Sequence, residues 1–329
     1  MLMNSRRWLW LVSACGWLLA CQREPVQLAP AEEQPALPSA VDLWEVRFVG
    51  EIGYAVGGDR YETTTLLRST DAGQNWTPLD EGGEAENRVM YRLLVRDAQS
   101  VLAAGLHQRV LSSLDGGQSW RGGFLPFFDY EVPVRALVML DSQTVMLACG
   151  GGYDSGAWYR SRNFGLRWER LDTVKFDLRD MVFTSPEVGY TSGYGVIFKT
   201  IDGGDSWDLT PAEDDFFVAM DFPAADVGYA VGRTGTILKT TDAAINWQRV
   251  RNGGNLLLPR HRYRDVAFWD EQTGYVVGDG GLLLRTDDGG ESWTRLATDL
   301  QADIYGLHLL DANQGVLVGE TGLLGTFGT

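Results

Sequence analysis

The sequence predicts an all-β fold, a seven-bladed β-propeller built from Asp-box repeats, and three observations carry the prediction. Glycine reaches 40 of 329 residues beside 12 Trp and 12 Tyr, a composition of tight turns between short aromatic-rich strands. An eight-residue motif of the type Ser/Thr-x-Asp-x-Gly-x-Ser/Asn-Trp recurs six times. A second motif of the type Gly-Tyr-Ala-Val-Gly recurs in phase with it, seven times.

The N-terminus comes first in the chain. Arg6 and Arg7 precede an apolar run from Trp8 to Ala20. That run is too short to span a bilayer comfortably and fits the core of a secretory signal. It ends in Leu18-Leu19-Ala20-Cys21, which resembles the bacterial lipobox. The resemblance implies cleavage before Cys21 and a diacylglycerol on its thiol. Gln22, rather than Asp, follows the cysteine, which suits outer-membrane sorting. Residues 22–40 are rich in Pro, Glu and Ala and read as a tether. The expected organisation is a signal peptide at 1–20, a lipidated Cys21 and flexible tether at 21–40, and a propeller at 41–329. The expected location is the bacterial cell envelope, anchored by lipid and facing the periplasm.

The net charge of −16 argues against nucleic acid as a partner, because such a surface repels phosphate at long range. Beyond Cys15 and Cys21 only Cys149 remains, so no disulfide forms within the chain. Cys149 sits in the apolar run TVMLACG and reads as a small buried hydrophobe.

The Asp-box motif sets the blades. Its copies hold Asp71 and Trp76, Asp115 and Trp120, Asn163 and Trp168, Asp202 and Trp207, Asp242 and Trp247, and Asp288 and Trp293. The tryptophans are 39 to 48 residues apart, a blade length. The hydroxyl and the carboxylate can bond nearby amides and hold a turn, and the glycine supplies positive φ. The Trp packs between blades. These residues are therefore read as structural. Asn163 replacing Asp and Ala244 replacing Gly agree with that, since a catalytic residue would not recur in six places. Each unit reads as four strands: an apolar one such as Arg264–Phe268, the GYVVG strand, a strand like Leu282–Arg285, and a final strand starting at Trp. The seventh unit shows three, and residues 25–30, Val26-Gln-Leu28-Ala-Pro30 among them, are candidates to close it.

Six boxes of the TxDGGxSW type in phase with GYAVG resemble the photosystem II stability/assembly factor family, over roughly residues 41–329. The resemblance implies a seven-bladed propeller acting as a lumenal or periplasmic assembly chaperone without catalysis. It also implies an arginine patch facing the partner. Aligning the first strands by their apolar positions puts Trp44, Arg92, Arg135, Arg179, Val218, Arg264 and Tyr305 at one position near the channel rim. Arg92, Arg135, Arg179 and Arg264 are thus the candidate partner-binding residues. Two readings stay open for them. One is inter-blade salt bridges to Asp180, Asp265 or Glu45. The other is a site for an acidic peptide or carboxylate, to which arginine forks are suited.

The functional expectation is a binding or assembly-factor propeller, monomeric and not an enzyme, whose partners are a membrane or exported protein and, through the lipid anchor, the membrane. The alternative is a sialidase-like glycosidase, which shares the box and clamps a carboxylate sugar with arginines. It needs a Tyr–Glu pair that the sequence does not reveal, and the Tyr/Phe-Arg-Ile-Pro motif is missing near the N-terminus. No cofactor or metal site is expected: His107, His261 and His308 fall in separate blades without ligand spacing.

Overall fold

The computed structural model describes residues 41–59, 62–80, 88–126, 132–212, 215–251 and 261–329. The signal segment, Cys21, the tether and the blade-closing segment 25–30 lie outside them, as do parts of the aromatic stretch 124–130 and the basic stretch 249–264.

Seven antiparallel sheets follow one another along the chain, each made of consecutive neighbouring strands. Six have four strands and the last has three among the described residues. The first strands are Leu43–Val49, Met90–Val95, Val134–Met139, Leu178–Phe183, Phe217–Asp221, Tyr263–Phe268 and Ile304–Leu309. Their side chains line the central channel. The second strands, such as Gly228–Gly232 and Gly274–Gly278, are buried throughout, because a neighbouring blade covers each face. This is why they read as unbroken small and apolar runs rather than as alternating ones. The fourth strands begin one residue later than expected, after the Trp rather than at it, as in Thr77–Pro78 and Thr294–Arg295.

Aromatic rings tie blade to blade. Tyr190 stacks on Phe222 of the next blade at 4.1 Å, and Tyr229 stacks on Phe268 at 3.8 Å. Each Phe in turn meets the Trp of its own box edge-on, Phe222 against Trp247 and Phe268 against Trp293. The glycine before the tyrosine is forced by this packing: a Cβ on Gly228 would stand 2.4 Å from the Phe222 ring. A polar latch lies beside the stack. Tyr229 Oη and Lys239 Nζ both donate to the Gly289 carbonyl, at 2.6 and 2.7 Å. Tyr190 and Lys199 repeat it on the Ala243 carbonyl.

The boxes are built as their chemistry predicts. Asp202 Oδ1 accepts from Thr200 Oγ1 and from the Ser206 amide, and Oδ2 accepts from Ser206 Oγ. The Thr200 hydroxyl accepts from the Gly204 amide at 2.9 Å. Asn163 makes the same turn with its one carbonyl oxygen, accepting from Ser161 and Arg167. Ala244 holds φ +65°, the left-handed conformation that glycine adopts at the same box position elsewhere.

An innermost strand has no neighbour on its channel side, so its amides need other acceptors. Carboxylates of the preceding blade supply them. Glu45 accepts from the Leu93 amide at 2.6 Å, Asp180 from Met220 at 2.7 Å, Asp221 from Phe268 at 2.6 Å and Asp265 from Leu307 at 3.0 Å. The acids expected to pair with the arginines thus hold backbone instead. Arg47 joins this group in a salt bridge to Glu45 at 2.5 Å.

Every first strand carries a bulge at its second residue, and the register corrects two positions of the sequence alignment. Met90 pairs with Gly105 and Arg92 with Ala104, as Leu178 pairs with Gly193 and Asp180 with Ser192. Tyr91 therefore takes the rim position of the second blade, and Arg92 lies one step deeper, at the level of Asp180. In the third blade Val134 pairs with Cys149, so Cys149, not Gly150, ends the motif there. Cys149 is buried among apolar side chains as expected.

Candidate functional site: an arginine cup at one mouth of the channel

Trp44, Arg92, Arg264 and Tyr305 border two cavities of about 610 Å³ each, one toward either mouth. Trp44 stacks on Tyr305 at 4.4 Å and meets Tyr91 edge-on at 5.2 Å, forming one wall of this waist.

The cavity on the side where the first strands begin is the arginine cup. It brings together all four predicted arginines, Arg92, Arg135, Arg179 and Arg264, and adds Arg233. In the fifth blade the rim residue is Val218, and Arg233, directly after the second strand, fills that sector. The sequence comparison missed Arg233 because it compared first strands only. The signal was the arginine following Gly232, where other blades carry Tyr194, Asp279 or Glu320.

The five arginines differ in partners. Arg264 is paired with Asp279 at 2.6 Å and Asp303 at 3.5 Å. Arg179 pairs with the buried Asp177. Arg92 spends its donors on the carbonyls of Tyr91, Arg135 and Arg179, bracing the waist. Arg135 has no carboxylate within salt-bridge distance among the described residues. Its Nε donates to the Gly150 carbonyl at 3.3 Å, and its guanidinium lies over the Tyr91 ring at 4.9 Å. Burial, with the charges of Arg179 and Arg92, lowers its pKa to about 9, which leaves it cationic at neutral pH. Arg233 likewise lacks a carboxylate at contact distance among the described residues and lies over Phe216 at 5.4 Å. Burial, Arg264 and Arg179 push its pKa down too. The salt-bridge reading therefore holds for Arg179 and Arg264, with other acids than expected, while Arg92, Arg135 and Arg233 make no salt bridge among the described residues.

The opposite cavity has a different character. Burial raises the pKa of Asp265 to about 7 and of Asp221 to about 6, and raises that of Asp180. His308 stacks on Phe48 at 5.5 Å, and burial beside Arg47 lowers its pKa to about 4, so it is neutral there. Among the described residues no group of three His, Cys, Asp or Glu side chains is arranged to hold a metal ion.

Geometry and chemistry thus define an Asp-box propeller with a cationic, aromatic-walled cup at one end of its channel. The sequence matches the Photosynthesis system II assembly factor YCF48 family over residues 165–259 and 257–327. Two solved structures of that kind are similar. "YCF48 bound to D1 peptide" has TM-score 0.71 at 20% identity, covering 89% of this chain and 95% of that one. YCF48 from Cyanidioschyzon merolae has TM-score 0.70 at 19% identity, covering 90% and 98%. The Niastella koreensis GH74 enzyme shares the fold at TM-score 0.69 and 16% identity, over 88% of this chain and 53% of that one. No curated protein matches the sequence. The chain is a β-propeller whose second half is similar to the photosystem II assembly factor family.

Proposed function

We propose that this propeller is a non-catalytic binding protein that captures a carboxylate-bearing segment of an exported or membrane protein in the arginine cup. The observation that carries the reading is Arg135, a half-buried guanidinium facing the channel with no carboxylate at salt-bridge distance among the described residues. A half-buried cation without a counter-charge costs stability, and a ligand anion offsets that cost. Arg179 and Arg264, by contrast, are already neutralised by Asp177, Asp279 and Asp303. A similar propeller was solved with a peptide, which supports a protein ligand rather than a sugar. In this reading Cys21 is lipidated and tethers the propeller to a membrane of the cell envelope, facing the periplasm.

The test compares wild type with Arg135→Gln/Arg233→Gln in affinity capture from detergent-solubilised envelopes. The variant is expected to lose the captured protein while keeping or raising its melting temperature, since two half-buried charges that make no salt bridge among the described residues are gone. Equal capture by a folded variant overturns the reading. Incorporation of labelled palmitate, abolished by Cys21→Ser, tests the anchor.

A further inference from the structure

We propose that Tyr153, Tyr194 and Phe216 form an aromatic shelf beside the cup that receives a flat apolar side chain of the bound peptide, one or two residues from its carboxylate. The proposal rests on the reading of the cup as a carboxylate site and adds a second determinant to it.

The three rings come from three consecutive blades and touch one another. Tyr194 meets Tyr153 and Phe216 edge-on, both at 5.2 Å, and Tyr153 lies 6.4 Å from Phe216. Phe216 is buried, whereas Tyr153 is 63% exposed and Tyr194 49% exposed. Two large rings are thus held at the surface on a buried third. Nothing in the blade repeat asks for an aromatic at Tyr194: the residue after the second-strand terminus is Gly58, Leu106, Arg233, Asp279 or Glu320 in other blades.

Tyr153 is also strained. It holds φ +72°, directly after Gly152 at φ +63°. Glycine accepts that conformation freely, and a tyrosine does not. The turn between Gly151 and Ser155 imposes this conformation, and the Tyr153 carbonyl accepts the Asp177 amide at 3.2 Å, so a glycine would serve the turn and the ring is extra to it. The shelf is rigid as well. The backbones of Tyr194 and Phe216 form an isolated β-bridge. The buried Asp215 accepts from the amides of Phe216, Thr234 and Thr236 and from the Thr234 hydroxyl, fixing both Phe216 and the turn after Arg233.

Continuity with the cup sets the occupant. The guanidiniums of Arg179 and Arg233 lie over the Phe216 ring, at 4.6 and 5.4 Å. One ring therefore separates the cup's cations from Tyr194, a gap that an extended peptide crosses in one or two residues at about 3.3 Å each. Both signs of charge occur all round this mouth, but Asp177 and Asp215 are buried and engaged, so the guanidiniums of blades three to five outweigh the acids there except at Asp154. Arg135, Arg179 and Arg233 belong to blades three to five, on the shelf side. Asp42, Asp279, Asp303 and Glu320 belong to blades one, six and seven. An anionic group is drawn to the shelf side, and the residue next to it meets exposed aromatic faces. Aromatic pairs of this geometry add favourable energy beyond burial.

The test measures fluorescence anisotropy with full-length protein in detergent and three fluorescein-labelled octapeptides in a Gly-Ser background. One has Phe two residues before a free C-terminal carboxylate, one has Ala there, and one is the Phe peptide with an amidated C-terminus. Wild type is expected to bind the Phe peptide about tenfold more tightly than the Ala peptide. Tyr153→Gly removes a ring and relieves the backbone, so it should abolish that preference, leave the Ala peptide's affinity unchanged and not lower the melting temperature. Tyr194→Ala should do the same to the preference. Equal affinity of wild type for the Phe and Ala peptides, or a preference that survives both variants, overturns the shelf. Failure of the cup reads out separately: amidation and Arg135→Gln would then leave binding of the Phe peptide unchanged. If no peptide binds wild type, both readings fall.

Discussion

Replacing Asp265 by Asn should change the pH dependence of stability in a direction fixed by the fold. Asp265 is half-buried at the inner edge of the sixth blade, where it accepts the Leu307 amide at 3.0 Å and the Val266 amide at 2.9 Å. Burial and Asp180 outweigh Arg47 and Arg92, so its pKa rises from 3.8 to about 7. A raised native pKa means the folded protein prefers the protonated form. The group's contribution is then fully present below pH 3.8 and is lost as pH rises through 7. At pH 8 the side chain opposes folding by about 4 kcal/mol, and at pH 5 by about 2 kcal/mol. Asparagine keeps an acceptor and carries no charge at either pH. The variant should therefore gain about 2 to 3 kcal/mol on wild type between pH 5 and pH 8. In a chain of this size that is roughly 5 °C of relative melting temperature. Any fixed effect of the amide cancels in the comparison of the two pH values. Melting curves at pH 5 and 8 for both proteins give the answer, and a constant offset would refute the raised pKa. Asp265→Ala serves as the control, since it leaves the Leu307 amide without its acceptor at every pH.

Two further outcomes follow from the packing. Trp76→Ala removes a fully buried indole that donates to the Gly73 carbonyl at 3.0 Å and meets Phe48 edge-on. Urea unfolding should show a loss of about 3 to 5 kcal/mol. Tyr229→Phe and Lys239→Met each leave the Gly289 carbonyl one donor, whereas the double variant leaves it none. The double variant should therefore lose more than the sum of the singles, by about 1 kcal/mol, and additive losses would show that the latch does not act on one acceptor.

Much of this molecule was legible in its sequence because the decisive signals are local. A turn that needs a hydroxyl, a carboxylate and a positive-φ glycine within five residues declares itself at each of Asp71, Asp115, Asp202 and Asp288, and Asn163 and Ala244 show the tolerated variation. The convergence of Arg135, Arg179 and Arg264 was legible too, because equivalent positions of a radial repeat meet at its axis. Arg92 was placed one step too shallow, since a bulge shifts the register by one residue without disturbing the apolar pattern. Arg233 and the Tyr153–Tyr194–Phe216 group were not legible. They lie on turns of different blades, at positions that no repeat unit shares, and only closure of the ring makes them neighbours.

The repeated frame has a consequence for how such a protein changes. Blade-to-blade stacking, box turns and inner-edge carboxylates use one set of positions in the units that carry them, and the cup uses another. Seven equivalent addresses face the axis, and none of them holds the ring together by itself. Val218 stands where neighbours carry arginine, and Tyr305 where others carry a charge, with the blades around them intact. Recognition can therefore be rewritten one address at a time, like letters on a combination lock whose mechanism is left alone.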